Sequence, residues 1–396
     1  MIMGTSESRY RAFLEGRGRE GLRRELIQFE VLDARSVKVA GKTYVNLASN
    51  DYLGLRFHPE VIKRASEWAS LYGTGSGASR HVTGNLSSFV QLETKLARLK
   101  GKEAALIMAS GFQTNGAVLQ ALLDKAVLGE EPLVFADRFN HASMHFGCLA
   151  AGARQIRYRH ADPRHLVQLL NQYQSDTRPK FILTESVFSM DGDIAPVAQI
   201  AALAREDDAM LFVDDAHGTG ILGPHGAGLS AGADFAIGTF SKALGGFGGY
   251  VACSETVRDY LVNRCSGLIY STALPPPVLG AMDAALDLLP SMDRERAHVA
   301  SLAARFREGA NALGLDTGGS STQIVPVIVG TPEAALSMSG ELRRAGLWAA
   351  AIRPPTVPNG TARLRLAFTA AHEDSDIDRL LDIFQAQEPP RRATAH

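Results

Sequence analysis

Short apolar runs alternate with segments of helical periodicity between residues 104 and 253, and this alternation constrains the fold more than any other feature. The candidate strands are AALIM (104–108), LVFAD (133–137), FILTE (181–185), MLFVDD (210–215), FAIGT (235–239) and GYVAC (249–253). The segments between these runs are long enough to contain crossover helices. The pattern therefore predicts an α/β fold with a mainly parallel sheet.

The sequence pattern on either side of this region predicts two further parts. Leucines spaced for a helix among arginines at residues 9–30 predict a charged N-terminal helix, followed by a hairpin near Gly41. After the prolines at 275–277 the helical stretches lengthen, and later apolar runs predict a compact α+β unit. We predict an N-terminal helix and hairpin segment at residues 1–52, a large domain at 53–285 and a small C-terminal domain at 286–396.

The composition narrows the classes of partner and compartment. The chain has 41 Lys plus Arg and 42 Asp plus Glu, so its net charge of -1 does not favour nucleic acid or an acidic membrane. Its three cysteines form neither a CxxC metal pair nor a disulfide framework, which predicts reduced thiols and no metal site. The N-terminus lacks the apolar core of a secretion signal, and about 18 uninterrupted apolar residues occur nowhere. We therefore expect a soluble, cytoplasmic protein.

The segment ADFAIGTFSKALGGFGG (233–249) carries the strongest chemical signal. An apolar strand ends at Thr239 and delivers Lys242 into a glycine-rich turn. A lysine that is partly desolvated at the end of a buried strand can capture a carbonyl group as a Schiff base. The alternative interpretation of this segment alone is an exposed lysine in a flexible loop.

Other polar residues follow the carboxyl ends of the predicted strands, where open parallel sheets bind their ligands. Ser110, Gly111 and Phe112 form a predicted turn into the helix QTNGAVLQALL, and the backbone N–H groups of this turn and the helix dipole can receive a phosphate. The residues after the next three strands are His141, Ser189, and Asp214 with His217. Each of these residues alone has a plain structural explanation as a packed or capping residue. Together they suit pyridoxal 5'-phosphate, which needs a lysine, a carboxylate for its ring nitrogen, phosphate donors and a flat stacking group.

Two consecutive aspartates, Asp214 and Asp215, compete for the ring nitrogen. A carboxylate in this position keeps the pyridine ring protonated, so that the ring accepts electrons from a neighbouring carbanion. Successive strand residues point to opposite faces, so only one aspartate is expected to meet the ring. We assign Asp214 to this role.

Nine ordered segments closely resemble the α-oxoamine synthases, which are fold-type-I pyridoxal-phosphate enzymes of the class I and II aminotransferase fold. The segments are NLASNDYLGL (46–55), GSGASRHVTG (75–84), SGFQTN (110–115), FNHASM (139–144), TESVFSMDGD (184–193), VDDAHGTGILG (213–223), GTFSKALGGFGGY (238–250), IYSTALPP (269–276) and AIRPPTVPNGTARLRL (351–366). The resemblance runs from about residue 20 to residue 385. One departure is Ser241, since related enzymes often carry glycine there.

The resemblance implies a role for each cofactor-binding residue. Lys242 would hold the cofactor, Asp214 would pair with the ring nitrogen, and His141 would stack on the ring. The remaining cofactor ligands would be His217 and Ser189 beside the ring, Gly111, Phe112 and Thr239 near the phosphate, and Ser271 or Thr272 reaching the site from the partner subunit of a homodimer. The catalytic residues would be Lys242, His141, Asp214 and His217.

The resemblance also implies the substrates. The family joins an amino acid to an acyl thioester, and the C-terminal segment is most similar to the members that serve biotin biosynthesis. This likeness implies an acyltransferase that condenses L-alanine with a pimeloyl thioester of coenzyme A or an acyl carrier protein. Arg353 would bind the amino-acid carboxylate in a bidentate contact with help from Asn50. His141 would also face the substrate, while Arg23 and Thr356 would contact the acyl group.

Three other interpretations remain at this point. Gly73, Gly75 and Ala78 match a loose dinucleotide-binding pattern, but they follow a helix-like segment rather than the strand that this fingerprint requires. A non-catalytic binding protein on the same fold is a second alternative, which the presence of the Lys, Asp and His set disfavours. A sister synthase that uses glycine, serine or a different acyl thioester is the third, because sequence alone does not place the residues that line an acyl pocket.

Overall fold

The computed structural model describes residues 5–386, and the chain divides into two compact units. The smaller unit comprises the residues up to Ser49, Met190–Gly192 and the residues from Ala300 onward. The larger unit comprises Asn50–Ser189 and Asp193–Val299. The division into domains at 1–52, 53–285 and 286–396 stays a prediction, and each unit is described by itself.

The elements are numbered along the chain. The strands are β1 (Glu30–Val31), β2 (Ser36–Val39), β3 (Lys42–Asn46), β4 (Ala104–Met108), β5 (Leu133–Asp137), β6 (Gln155–Tyr158), β7 (Lys180–Glu185), β8 (Ala209–Asp214), β9 (Phe235–Thr239), β10 (Gly249–Cys253), β11 (Ile324–Gly330), β12 (Leu347–Trp348), β13 (Ala350–Ile352) and β14 (Ala362–Ala367). The helices are α1 (Thr5–Arg19), α2 (Pro59–Tyr72), α3 (Ser87–Lys100), α4 (Gly111–Leu122), α5 (Lys125–Leu128), α6 (Ala142–Ala151), α7 (Pro163–Gln172), α8 (Val197–Glu206), α9 (Glu255–Arg264), α10 (Ser266–Ile269), α11 (Pro276–Leu288), α12 (Asp293–Ala312), α13 (Pro332–Arg344) and α14 (Asp374–Gln385).

The larger unit contains a seven-stranded sheet with the strand order β4-β10-β9-β8-β7-β5-β6. The pairs β5–β6, β5–β7, β7–β8 and β8–β9 are parallel, which confirms the predicted α/β fold with a mainly parallel sheet. β10 runs antiparallel to both of its neighbours, and the nine residues 240–248 that join it to β9 are too few for a crossover helix. The sequence did not predict β6, whose residues Gln155–Tyr158 are mostly half-buried or exposed at the sheet edge.

Two buried clusters cover the two faces of this sheet. Val134 and Ala136 of β5 belong to one cluster, whereas Leu133 and Phe135 of the same strand belong to the other. The same alternation divides the apolar residues of β7 and β8. A strand that is buried on both faces must be apolar at successive positions, which explains why these runs are continuous and not alternating.

The smaller unit contains two sheets, with strand orders β1-β2-β3-β12 and β11-β14-β13. α14 buries Ile377, Leu380 and Phe384 in this unit's apolar cluster, as the i, i+3, i+7 spacing predicts, and Leu381 packs at its margin. The prediction of a helix over residues 9–30 is wrong in its extent, because α1 ends at Arg19. Gly21 follows with a φ of 64°, a left-handed conformation in which a helix cannot continue. Within residues 5–386, none of the helices combines the length and the apolar character needed to traverse a bilayer.

Candidate active site

A cavity of about 220 Å³ lies in the larger unit at the carboxyl ends of β7, β8 and β9. Glu185, Asp214 and Thr239, the last residues of these strands, all line it. The other contributions come from segments that follow β4, β5, β8 and β9. The lining residues that matter below are Gly111, Phe112, Asn115, His141, Ser143, His217, Ser241 and Lys242.

The N-terminus of α4 provides donors for an anion on one side of the cavity. Ser110 caps this helix by accepting a hydrogen bond of 3.2 Å from the backbone N–H of Gln113. Gly111 and Phe112 supply the first backbone N–H groups, and a Cβ at Gly111 would lie 3.4 Å from Cβ of Thr239. The Thr239 hydroxyl is 2.8 Å from the hydroxyl of Ser241. A helix N-terminus beside two hydroxyl groups is a suitable site for a phosphate.

Lys242 lies half-buried in the turn between β9 and β10. The turn closes with a hydrogen bond of 2.9 Å from the Gly245 N–H to the Lys242 carbonyl. Gly245 has a φ of 63°, and a Cβ there would lie 2.2 Å from the backbone nitrogen of Arg56. The glycine-rich sequence after the lysine is therefore required by backbone conformation and close packing. The Lys242 side chain lines the cavity.

Asp214 and Asp215 differ in what surrounds them, because only Asp214 lines the cavity. Asp214 lines the cavity, where its Oδ2 accepts a hydrogen bond of 2.6 Å from Nδ2 of Asn115. Its Oδ1 accepts a second bond of 3.0 Å from the backbone N–H of Ala216. Asp215 is completely buried and forms an ion pair with Lys100, so it does not line the cavity.

His141 caps the N-terminus of α6 and lines the cavity. Its Nδ1 is 2.7 Å from the hydroxyl of Ser143. Burial lowers the pKa of the His141 imidazole below its ordinary value, and the positive charge of Lys242 lowers it further, although Asp214 opposes both effects. The side chain is exposed on the cavity side of the protein surface. A flat imidazole ring that lines a cavity can stack on an aromatic ligand.

His217 is held by a residue that sequence reasoning missed. Its Nδ1 lies 2.7 Å from the hydroxyl of Tyr52, and both side chains are buried. The same hydroxyl donates a bond of 3.1 Å to Oδ1 of Asn50. Tyr52 lies in NLASNDYLGL, one of the nine segments that carry the family resemblance, and this membership was a signal that could have identified it. No local pattern predicts its contact with His217, which lies 165 positions away.

Glu185 is a second residue that was missed, although it ends a predicted strand. It is buried, lines the cavity and pairs in register with Asp214 on the neighbouring strand. Burial raises the pKa of Glu185 well above its ordinary value, and the Asp214 carboxylate raises it further, while Lys242 and the His141 backbone N–H act against this shift. The raised pKa favours the neutral, protonated form of Glu185.

Two residues predicted for the cofactor site lie outside the lining of this cavity. Ser189 is half-buried in the turn after β7. Thr272 pairs with Ser79 in an isolated bridge and lines a separate small cavity of about 20 Å³ together with Arg80 and Ser271. The roles of Ser189 and Thr272 stay predictions.

The predicted substrate residues Arg353 and Thr356 lie in the smaller unit, where they line a cavity of about 120 Å³. Arg24 also lines it and donates a hydrogen bond of 2.7 Å to the Thr356 hydroxyl. Arg23 is exposed and is not part of this lining, so the structure places the neighbouring arginine there. Burial lowers the pKa of Arg353, and the nearby charges of Arg24 and Arg17 lower it further. Such a concentration of positive charge suits an anionic group.

Comparisons with known proteins give the same interpretation. The family model "Aminotransferase class I and II" matches residues 42–384. The 8-amino-7-oxononanoate synthase of Gluconacetobacter diazotrophicus is 57% identical over 88% of this chain and 89% of its own. The chain belongs to the α-oxoamine synthases, within the class I and II aminotransferases. A second 8-amino-7-oxononanoate synthase, from Geobacter sulfurreducens, is 46% identical to this α-oxoamine synthase over 91% of this chain and 93% of its own.

Solved structures share the fold of this α-oxoamine synthase. The serine palmitoyltransferase of S. paucimobilis, solved with a bound PLP–myriocin aldimine, has a TM-score of 0.88 at 28% identity and covers 96% of this chain and 97% of its own. The 8-amino-7-oxononanoate synthase of Francisella tularensis has a TM-score of 0.73 at 27% identity, covering 86% and 97% of the two chains. The predicted fold-type-I pyridoxal-phosphate transferase fold is therefore confirmed.

Proposed function

We propose that this chain binds pyridoxal 5'-phosphate and condenses L-alanine with a pimeloyl thioester, giving 8-amino-7-oxononanoate, carbon dioxide and the free thiol. The observation that carries the proposal is the convergence of Lys242, Asp214, His141 and a helix N-terminus on one cavity. The names of the relatives that are 57% and 46% identical support this reaction, which belongs to biotin biosynthesis.

The residues present in the cavity fit this cofactor. The backbone N–H groups that open α4 and the hydroxyls of Thr239 and Ser241 suit the phosphate. Gly111 leaves the space between α4 and Thr239 that a larger side chain would fill. Asp214 suits the ring nitrogen, and the imidazole of His141 suits the flat ring. When bound, pyridoxal phosphate supplies an aldehyde that captures the amino acid and a ring that accepts electrons from its α-carbon.

The side chains of the cavity then orient groups and move protons. Lys242 would provide the amine that holds the cofactor, and its Nζ, when free, would be the base that removes the α-proton of the amino acid. Asp214 would hold a proton on the ring nitrogen, and Asn115 keeps the Asp214 carboxylate in place with a bond of 2.6 Å. His217 is oriented by Tyr52 toward the side of the cavity that we assign to the ring hydroxyl. Ser189 is proposed as a further contact there.

Arginine and polar groups are proposed to bind the two substrates. We assign Arg353 to the amino-acid carboxylate with help from Asn50, because a guanidinium matches a carboxylate in a bidentate contact. Thr356 and Arg23 are assigned to the acyl substrate. Arg24 is added to this set, because its hydrogen bond to Thr356 places it beside Arg353 in the same cavity.

A substrate matrix tests the proposed function. The purified chain, loaded with pyridoxal phosphate, is assayed with alanine, glycine or serine against pimeloyl-coenzyme A, a pimeloyl-acyl carrier protein and palmitoyl-coenzyme A. We expect amino-ketone formation and equal release of thiol and carbon dioxide to be highest with alanine and a pimeloyl thioester. The variant Lys242→Ala should lose both the absorbance of the lysine-bound cofactor and turnover. Faster turnover of serine with palmitoyl-coenzyme A would identify the chain as the sister activity that its likeness to serine palmitoyltransferase permits.

We further propose a cytoplasmic homodimer in which Ser271 or Thr272 contributes to the site of the partner subunit. Large apolar side chains exposed on the larger unit support the dimer, including Leu149 at 76% and Tyr270 at 84% exposure. The three cysteines are free and buried, which suits a reducing compartment. A mass measurement in solution that gave a monomer at micromolar concentration would overturn the dimer.

A further inference from the structure

Lys100, the last residue of α3, is a buried lysine in the larger unit. Its side chain and that of Asp215 are both 0% exposed. Its Nζ donates hydrogen bonds to Oδ2 of Asp215 at 2.7 Å, to Oγ1 of Thr219 at 2.7 Å and to the carbonyl of Ala227 at 2.6 Å. An ammonium group has three protons, so these three bonds use its full donor capacity.

The carboxylate of Asp215 is equally well satisfied. Its Oδ2 also accepts bonds of 3.0 Å from the Ser230 hydroxyl and 3.1 Å from the Leu229 N–H, while its Oδ1 accepts from the Ser186 hydroxyl. A Cβ at Gly218 would lie 2.2 Å from Oδ1, and one at Gly228 would lie 1.8 Å from Oδ2. The loop after β8 therefore closes on this carboxylate so tightly that neither glycine can accept a side chain.

The positive charge of Lys100 is stable in this environment. Burial alone would lower the pKa of its ammonium group, but Asp215 and Tyr250 outweigh burial and raise it. The Tyr250 ring lies 5.8 Å from Nζ, and its hydroxyl is 2.9 Å from that of Thr219. Nζ of Lys100 and Oδ2 of Asp215, 2.7 Å apart, therefore form a buried ion pair.

The ion pair acts on the segment that carries the cavity residues. Asp215 directly follows Asp214, and Thr219 Oγ1 donates a bond of 2.8 Å to the Asp215 carbonyl. Lys100 thus holds both ends of the segment 215–219, and His217 lies in its middle. Asp214 and His217 line the cavity, whereas Lys100 and Asp215 do not.

We propose that Lys100 is a positioning residue for catalysis, which neutralises Asp215 and fixes the segment from Asp214 to Thr219 so that Asp214 and His217 meet the cofactor. The inference rests on the proposed function only for the identity of the cofactor. Without the lysine, an unpaired carboxylate would remain buried next to Asp214. Repulsion between neighbouring carboxylates disfavours their shared ionisation and would weaken the partner of the ring nitrogen.

Three variants of the full chain test this role. Lys100→Met removes the charge and the three hydrogen bonds but keeps an unbranched side chain of similar length. The double variant Lys100→Met/Asp215→Asn also removes the unpaired carboxylate. Lys102→Met is the matched control, since Lys102 lies two residues further on and its Nζ contacts the Ala233 carbonyl instead of Asp215. The readouts are the unfolding temperature, the dissociation constant of pyridoxal phosphate from the folded protein, the pH midpoint of the lysine-bound absorbance, and kcat and KM for alanine.

We expect Lys100→Met to weaken cofactor affinity about tenfold, to shift the pH midpoint of the absorbance and to lower kcat. A change in affinity of about tenfold is typical when one member of a network of contacting residues is removed. The double variant should recover part of each loss, and Lys102→Met should match the wild type. If Lys100→Met does not fold, the double variant decides, because it lacks the three hydrogen bonds but leaves no buried charge.

Variants that lower only the unfolding temperature, with wild-type affinity, pH midpoint and kcat in the folded fraction, would overturn the proposal and leave Lys100 a purely stabilising role. Failure of the proposed function is separate, because it would appear as absence of amino-ketone product from the wild-type chain.

Discussion

The hydroxyl of Tyr52 lies 2.7 Å from Nδ1 of His217, and both residues are buried beside the cavity. The hydroxyl has a single proton, so while it donates to Oδ1 of Asn50 its oxygen accepts a hydrogen bond from Nδ1 of His217. The nitrogen on the other side of the ring is then either a donor or an acceptor for the ligand. The orientation of a cavity histidine therefore depends on a tyrosine far away in the sequence.

Tyr52→Phe should lower kcat about tenfold with little change in KM, because the variant removes the hydrogen bonds of the hydroxyl to His217 and Asn50, each of which contributes about 0.5–1.5 kcal/mol. Steady-state kinetics with alanine measure this effect. The control is Tyr158→Phe, since Tyr158 is also completely buried but its hydroxyl bonds to the Leu183 carbonyl. Equal kinetic losses in both variants would show that the effect is not specific to His217.

Asn115→Ala should weaken the binding of pyridoxal phosphate about tenfold. Asn115 donates to Asp214 at 2.6 Å and to Ser143 at 2.9 Å, and hydrogen bonds to charged groups contribute about 1.5–3 kcal/mol. Equilibrium titration of the cofactor-free protein measures the affinity. Asn140→Ala is the control, because its amide bonds to the Leu183 carbonyl. If both variants retain wild-type affinity, Asn115 does not support Asp214.

Glu185→Gln should stabilise the cofactor-free protein at pH 8. Because the pKa of Glu185 is raised on folding, its contribution to stability is full below pH 4.5, the ordinary value, and is lost as the pH rises above it. A neutral glutamine of the same shape avoids this loss. Unfolding temperatures at pH 8 and pH 4.5 test the sign, and the gain should disappear at the lower pH. Exposed Glu130 provides the control variant Glu130→Gln. A less stable Glu185→Gln protein at pH 8 would contradict the raised pKa of Glu185.

The raised pKa of His160 predicts that the protein loses stability in alkaline solution. Burial disfavours its charge, but hydrogen bonds of 3.1 Å to Asp137 and 2.9 Å to Asp193 outweigh burial and raise the pKa of His160 to about 9. The stability from this charge is fully present below pH 6.5 and is lost as the pH rises through about 9. Because His160 is only half-buried, solvent screens part of this shift, and the contribution is at most about 3 kcal/mol.

Thermal unfolding of the wild type and of His160→Gln between pH 6 and pH 10 measures this contribution. The variant should be less stable at pH 6 and should approach the wild type at pH 10. Parallel curves, with the same difference at every pH, would show that the charge of His160 does not contribute.

The sheet of the larger unit could be predicted because its strands are apolar on both faces and differ clearly from the segments between them. All six predicted runs form strands of that sheet. β6 was missed because its four residues are polar or only partly buried at the edge, where no apolar run is needed. β10 was expected among the parallel strands, yet strand direction depends on the connection and not on the apolar run.

The sequence by itself determined the fold class, the family and the polar residues that follow the strands, because periodicity and motifs are local properties of the chain. Only the tertiary structure decided which of these residues meet. It separated Asp214 from Asp215 by pairing the latter with Lys100 across 115 positions, and it joined Asn115 to Asp214 across 99. Burial, the supply of hydrogen-bond partners and the resulting charge of a carboxyl group arise only when distant segments pack together, so no local pattern can specify them.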